Sequence, residues 1–429
     1  MKHSSSMMYT VSSTYVVLLS LLLLLCFLPN TCSTETTTDT SCSTSTSTDT
    51  TTTKLVGITV SNVYSATWAV LQHSLFLYET IARTKHWTPV LLVEPFKAGD
   101  TKGIPQRREN ADTIDSHMDL FGYTYQTRDI FDYQGIDTLI MSCGDVPLDI
   151  KSQHPHIHVV YFNQDAAYFL TIEELLENKD TGRLDPNIKV DTIWSTAHFL
   201  WQSDFVKMLF RADQVEPCPY VWSPRIMESH NLSFHYEKGT AGRIGVYETN
   251  RGFYKTSLIP MMIVENANEQ VRVEYARILA LGKLASDVFI NQIKPRFKAN
   301  WYGGIQMAEL PKDWKEKRIG TLVSHTINIG LNNLWLEAMH AGMALVHNSE
   351  HMQECGYYYK ETNVTDGGVA LLRAMATHDD EDDKFGNGNG NGNERRKKDQ
   401  ACLWRFSINN PVNIEWFEQL LNKTVDDVC

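Results

Sequence analysis

From Lys54 onward, short apolar runs rich in β-branched residues alternate with segments whose apolar residues recur at helical spacing, and the rhythm breaks once and starts again. The candidate strands of the first block are LVGITV (55–60), PVLLVE (89–94), DTLIMSC (137–143), HIHVVYF (156–162) and DTIWST (191–196). Between the first two lies ATWAVLQHSLFLYETIART (66–84), which reads as a helix. Strands apolar on both faces and linked by amphipathic helices imply a parallel sheet covered on both sides. This block is assigned to 54–235, and the polar stretch from Glu228 to Thr240 closes it. A second block, 241–377, repeats the pattern: GRIGVYE (242–248), a helix from Thr256, DVFINQ (287–292), GTLVSHT (320–326), the helix LNNLWLEAMHAG (331–342) and ALVHNS (344–349). The expectation is an α/β protein of two Rossmann-like domains facing across a cleft.

The flanking segments are of other kinds. Val16 to Leu28 is apolar except for Ser20 and is followed by Pro29, which marks 1–30 as a cleaved signal peptide or a short type II anchor. The stretch 31–53 has 18 Ser or Thr among 23 residues, so it has nothing to bury and reads as an O-glycosylated stem. These features predict a secretory-pathway protein, Golgi-lumenal or secreted, with a single N-terminal anchor if the leader is retained. Sequons at Asn231, Asn363 and Asn422 fit a lumenal body. His378 to Gln400, with its DDEDD, Gly-Asn and ERRKK blocks, has Phe385 as its one apolar side chain apart from Gly and is expected to be a disordered insertion, 378–400. Within the closing segment, 401–429, PVNIEWFEQLL (411–421) reads as an amphipathic helix. A net charge of -12 argues against a nucleic-acid partner, since phosphates would be repelled. The eight cysteines show no C-x-x-C pair, so a disulfide scaffold or metal finger is not expected.

Ligands collect outside the carboxyl ends of strands in open parallel sheets. That rule singles out His325, the trio His347, Asn348 and Ser349, and, in the first block, the loop Ser61 to Thr67 with Asn163, Gln164 and Asp165. In GRIGVYETNRGFYKTSLIPMMIVENA (242–267), a strand ends in a polar loop bearing Asn250, Arg251 and Lys255, and Thr256 or Ser257 would cap the helix that follows. Gly356 to Tyr359 offers aromatic rings for stacking or for core packing. His154, His156 and His158 alternate along a strand entrance, but no metal site is expected. The D-x-D-like acids lie in the charged insertion, and neither H-E-x-x-H nor G-x-S-x-G occurs.

VSHTINIGLNNLWLEAMHAGMALVHNS (323–349) resembles the donor-binding core of retaining GT-B glycosyltransferases, where a helix ending in E-A-M-x-x-G precedes a strand. The resemblance implies that Glu337 accepts hydrogen bonds from the two ribose hydroxyls of a nucleotide. Asn332 and Asn333, at the helix start, would lie near the diphosphate. The 242–267 segment resembles the GT-B loop that sets a cation against the donor pyrophosphate, where leaving-group charge develops. Lys255 matches the family lysine, whereas Arg251 stands one position out of the usual spacing. Retaining GT-B sequences often carry a further acid eight positions before the helix glutamate, and here that position is Ile329.

Taken together, Gly57 to Asn62, VEPCPYVWSP (215–224), GVYETNRGFYKTSLIPMMI (245–263), VSHTINIGLNNLWLEAMHAGMALVHNSE (323–350) and ECGYYY (354–359) closely resemble a bacterial family of uncharacterised, glycosyltransferase-like proteins, the domain of unknown function numbered 2827. That resemblance implies a GT-B fold and a hexosyltransferase-like activity moving a sugar from a nucleoside diphosphate sugar to a glycan or glycoconjugate. The nucleotide sugar would be a co-substrate, with no cofactor or metal bound. Lys255 and Glu337 would act on the donor and Asp165 on the acceptor hydroxyl as base, with Asn250, Arg251, His325, Asn332, Asn333, His347, Asn348 and Ser349 lining the donor site. Two alternatives stay open: a nucleotide-sugar epimerase of the same architecture, and a carbohydrate-binding relative that has lost catalysis.

Overall fold

The computed structural model describes residues 53–60, 68–93, 116–143, 150–176, 189–229, 236–248, 250, 252–279, 299–302, 310–383 and 394–426. The expected leader, the stem up to Thr52, the loop 61–67, the run 287–292, Asn231 and Arg251 lie outside the described residues. All described residues belong to one compact unit, Thr51–Cys429.

In the first lobe, β1 (Lys54–Val60) leads through α1 (Trp68–Ile81) to β2 (Trp87–Val93), a hairpin of β3 (His117–Leu120) and β4 (Tyr123–Asp129), then β5 (Thr138–Cys143) and β6 (His158–Asn163). There follow α2 (Ala167–Leu176), β7 (Thr192–Thr196), a 3-10 turn Ala197–Gln202, α3 (Ser203–Leu209) and β8 (Gln214–Cys218). The sheet order is β3-β4-β2-β1-β5-β6-β7-β8, parallel except where β3 meets β4. Val56, Ile58 and Val60 of β1 are fully buried, as are Leu91 and Leu92 of β2, because α-helices cover both faces of the sheet.

The second lobe comprises β9 (Arg243–Val246), α4 (Leu258–Gln270), β10 (Tyr275–Leu279), β11 (Ala299–Tyr302), α5 (Leu310–Lys317), β12 (Thr321–Val323), α6 (Asn333–His340), β13 (Ala344–His347), β14 (Tyr357–Tyr358) and α7 (Val364–Asp383). Its parallel sheet runs β11-β10-β9-β12-β13-β14. Strand order therefore reverses between β9 and β12, and in such sheets the crevice beyond that reversal is the place where ligands bind. Behind the sheet, Arg277 of β10 makes a bidentate pair with Asp313 of α5 at 2.5 Å, and Tyr247 donates to the same carboxylate at 3.1 Å. This buried charge is thus matched by geometry, and losing either partner would strand the other.

Two further helices, α8 (Glu394–Arg405) and α9 (Pro411–Asp426), close the chain. Helix α9 returns to the first lobe, where Phe417 meets Trp194 at 5.9 Å, Thr424 bonds Thr138 at 2.7 Å and Trp87 Nε1 donates to Asn422 at 3.1 Å. The expected disorder of 378–400 is corrected at both ends: α7 continues to Asp383 and α8 begins at Glu394, while 384–393 lies outside the described residues. Charged residues that looked solvated in sequence have tertiary partners here. Asp379 accepts from Tyr236 OH at 2.6 Å and Gly239 N at 2.9 Å, and Asp399 accepts from Gly356 N at 3.0 Å. A disulfide between Cys355 and Cys402 then ties α8 to the loop before β14. Its separation of 47 residues corresponds to about 4 kcal/mol of lost unfolded-chain entropy. Among the described residues no helix is long and apolar enough to cross a membrane.

Candidate functional site

At the reversal point of the second lobe, Tyr247 and Glu248 directly follow β9, and Ser324 and His325 directly follow β12. Glu248 is fully buried, His325 nearly so. Trp335 Nε1 of α6 donates to Ser324 Oγ at 2.7 Å, so the single Ser324 hydroxyl proton goes to Glu248 Oε1. The backbone N–H of His325 reaches the same oxygen at 3.4 Å. Burial raises the Glu248 pKa, and Lys255 nearby pulls it back down. Among the described residues, Glu248 Oε2 is buried without a hydrogen-bond partner.

His325 is fixed from the other side. Tyr359 OH donates to the carbonyl of Ser324 at 3.1 Å, so its contact with His325 Nδ1 at 2.9 Å is received from Nδ1–H. The lone pair of Nε2 is therefore an acceptor, and that atom too is buried without a partner among the described residues. Burial lowers the imidazole pKa to about 4, which keeps the ring neutral at physiological pH.

Lys255 sits on a tight turn closed by its own N–H to Gly252 O at 3.3 Å. The turn is anchored to the first lobe, because Phe253 N donates to Glu173 of α2 at 3.1 Å. A Cβ at Gly252 would collide with the Tyr254 ring and lie 2.7 Å from both Glu173 carboxylate oxygens, so these side chains would have to shift. Asn250, with φ of 51°, clasps the start of α4 by donating to Ser257 Oγ at 2.9 Å and accepting from Ser257 N at 2.7 Å. Ser257 occupies the N-cap position without capping through its own side chain.

Glu337 faces the first lobe rather than an open groove. It is 6% exposed, and Gln72 of α1 donates to its Oε1 at 3.1 Å. The other end of the Gln72 amide accepts from Asn333 at 2.9 Å, and Asn333 accepts from Tyr220 OH at 2.6 Å. Burial raises the Glu337 pKa to about 7 against the weaker opposing pull of Gln72. Tyr220 is flanked by His73 and His198 at 5.1 and 5.4 Å between ring centres, and His198 lies 6.3 Å from His351. Gly330 lets this cluster close, since a Cβ there would collide with the His351 ring and touch His198 at 3.0 Å.

The remaining sequence candidates fasten loops. Asn332 is the N-cap of α6, accepting from Leu334 N at 3.1 Å. Both ring nitrogens of His347 are committed: Nδ1 accepts from Ser349 N at 3.1 Å, so Nε2–H donates to Cys355 O at 2.9 Å. Asn348 bridges to both backbone groups of Thr326 at 2.8 and 3.1 Å, and Ser349 donates to Gly330 O. Asp165 stands at the end of β6, where its carbonyl accepts from Gln202 at 2.8 Å. Beside it, Phe169 and Phe199 form an apolar seam with Tyr254, Ile327 and Ile329 of the second lobe. Ile329 thus occupies a packed interlobe position in which an ionised acid would be desolvated. His158 bonds Thr192 at 2.8 Å, which takes it away from His154 and His156. Among the described residues, no group of three His, Cys, Asp or Glu is placed to hold a metal ion. A surface depression lined by Arg83, His86, Glu415 and Glu418 lies at the amino end of β2 and includes none of these groups.

Gln72, His73, His198, Tyr220 and Glu248 were missed in sequence. Glu248 had a readable signal, an acid directly after an apolar strand, and Gln72-His73 interrupts an otherwise apolar helix face.

Solved glycosyltransferases share this architecture. An α-glucosyltransferase in complex with UDP and a 13-mer DNA aligns with a TM-score of 0.53 and 12% identity, over 87% of this chain and 99% of its own. An apo OtsA structure aligns at 0.51 and 10% identity, over 87% and 99%. A mutant Thermobaculum terrenum O-GlcNAc transferase aligns at 0.50 and 12% identity, over 88% of this chain and 69% of its own. At such identities the likeness shows the fold, which is GT-B. No curated protein matches the chain. The model of a family described as protein of unknown function (DUF2827) matches residues 56–421, and the chain belongs to that family.

Proposed function

We propose that this protein transfers a sugar from a nucleoside diphosphate sugar to a hydroxyl of a glycan or glycoconjugate. The observation that carries the reading is the convergence of Lys255, Glu248 and His325 on the strand reversal of the second lobe, with two buried polar atoms that have no partner among the described residues. Lys255 would offset charge on the departing diphosphate, an interaction stronger in the transition state than in the ground state. Glu337 would take the ribose hydroxyls once Gln72 releases it. Asp165 would serve the acceptor as base from the first lobe. In this reading the diphosphate charge is met by Lys255 and the α6 N-terminus, without a resident metal, in keeping with D-x-D-like acids confined to 379–383 on α7. The UDP held by the α-glucosyltransferase neighbour makes a uridine nucleotide the first donor to try. The disulfide Cys355–Cys402 supports an oxidising, lumenal setting.

Thermal-shift screening of the full chain against UDP-, GDP-, ADP- and dTDP-sugars tests this. A true donor at about a hundredfold excess over its dissociation constant should stabilise the fold by roughly 2.7 kcal/mol. Absence of a shift with every donor would refute the proposal. The packed Ile329 favours a second reading, a binding-only relative. Donor binding with neither transfer nor hydrolysis would select it, and release of an epimerised sugar without acceptor would instead mark an epimerase.

A further inference from the structure

The two atoms at the strand reversal that have no partner among the described residues are of one chemical kind. His325 Nε2 is an acceptor by its tautomer, and the Ser324 hydroxyl and His325 amide both point their protons at Glu248 Oε1, leaving Oε2 as the carboxylate's unused acceptor. Buried polar atoms in native proteins almost always have partners, so two vacant acceptors on adjacent strand ends call for a ligand that brings two donors. A vicinal diol is such a group. Resting on the donor-site reading above, we propose that Glu248 and His325 form a diol-binding subsite in which Oε2 and Nε2 each accept a hydrogen bond from one of two neighbouring hydroxyls of the nucleotide sugar.

The scaffold around the pair supports this role. Trp335, Ser324 and Tyr359 hold both side chains in single orientations, which preorganises the two acceptors. Tyr254 and Ile327 follow the same two strand ends, joined by a 2.9 Å backbone hydrogen bond and packed on Phe169 and Phe199. A sugar reaches the pair when that seam parts. The diol can belong to the transferred sugar or, in place of the Glu337 contact, to the ribose, and the two sources separate by experiment.

Calorimetric titration would use the full chain with whichever of UDP-, GDP-, ADP- and dTDP-glucose it binds most tightly, and with the matching sugar-free diphosphate. In Glu248→Gln, the fixed donors hold the amide oxygen at the Oε1 position, so an N–H₂ replaces the vacant acceptor. His325→Phe keeps the ring and removes Nε2. If the diol is on the transferred sugar, both variants weaken nucleotide-sugar binding roughly tenfold or more and leave the diphosphate unchanged. If it is on the ribose, both ligands weaken alike, and the 2′,3′-dideoxy diphosphate binds variant and parent equally. Tyr359→Phe, which releases the His325 tautomer, provides a check if either variant fails to fold, with a several-fold loss on the same ligand. Parent-like affinity in all the folded variants would overturn the subsite while the donor-site reading stands. A parent that binds no nucleotide sugar and no diphosphate would overturn both.

Discussion

Replacing Glu337 with Gln should make the protein more stable at pH 8 and poorer at holding a donor. The carboxyl is buried and has a single Gln72 hydrogen bond, and burial raises its pKa from 4.5 to about 7. A carboxyl with a raised folded pKa binds its proton more tightly in the native state, so stability falls as pH rises between about 4.5 and 7. Below that window both states are protonated and the site costs nothing; above it the chain carries the full penalty of a buried charge. At about 1.4 kcal/mol for each pH unit, the penalty reaches about 3 kcal/mol. Gln preserves the volume and can still accept from Gln72, but it never ionises. Urea unfolding of parent and variant should therefore give a stability difference near zero at pH 4.5 that grows to about 3 kcal/mol in favour of Glu337→Gln at pH 8. Donor affinity at pH 8 should meanwhile drop roughly tenfold or more, since a charged acceptor is lost. A gain in stability bought by a loss of binding is what a functional acid would show. A stability difference that stays flat with pH would refute the reasoning.

Three other perturbations follow from the same structure. Lys255→Ala should weaken diphosphate binding and, if the charge acts mainly on the leaving group, lower kcat by a larger factor than it raises the donor KM; steady-state kinetics decides, and unchanged parameters would remove Lys255 from the site. Asp313→Ala leaves Arg277 buried without its counter-charge and should cost about 3–5 kcal/mol in denaturant unfolding, with donor contacts untouched. Asp379→Ala removes the acceptor shared by Tyr236 and Gly239 and should cost about 1–2 kcal/mol, an effect that a disordered residue would not show.

The strands best legible in sequence were those buried on both faces, such as β1 and β7, because their apolar runs leave no other reading. The hairpin β3–β4 left no such run: HMDL and YTYQTRD are half exposed at a sheet edge, and polar residues serve there. The charged residues Asp379 and Asp399 looked solvated because their partners, Tyr236 and the Gly356 amide, are remote in sequence. The rule that ligands gather at strand ends pointed to His325 and His347 alike, and it could not separate their states. Hydrogen bonding to Cys355 and Ser349 occupies both nitrogens of one ring, and the other keeps a vacant nitrogen. Glu337 was legible as a helix acid next to the cleft, but its engagement by Gln72 depends on a contact 265 residues away in the chain.

The central claim is that the carboxyl ends of β9 and β12 hold a nucleoside diphosphate sugar. A crystal structure of the full chain at saturating UDP-glucose, or the tightest-binding nucleotide sugar, tests it most directly. The account predicts diphosphate density within roughly 3 Å of Lys255 Nζ and sugar or ribose hydroxyls at the same distance from Glu248 and His325. Density for the nucleotide at any other surface, with these residues in their ligand-free contacts, would contradict it.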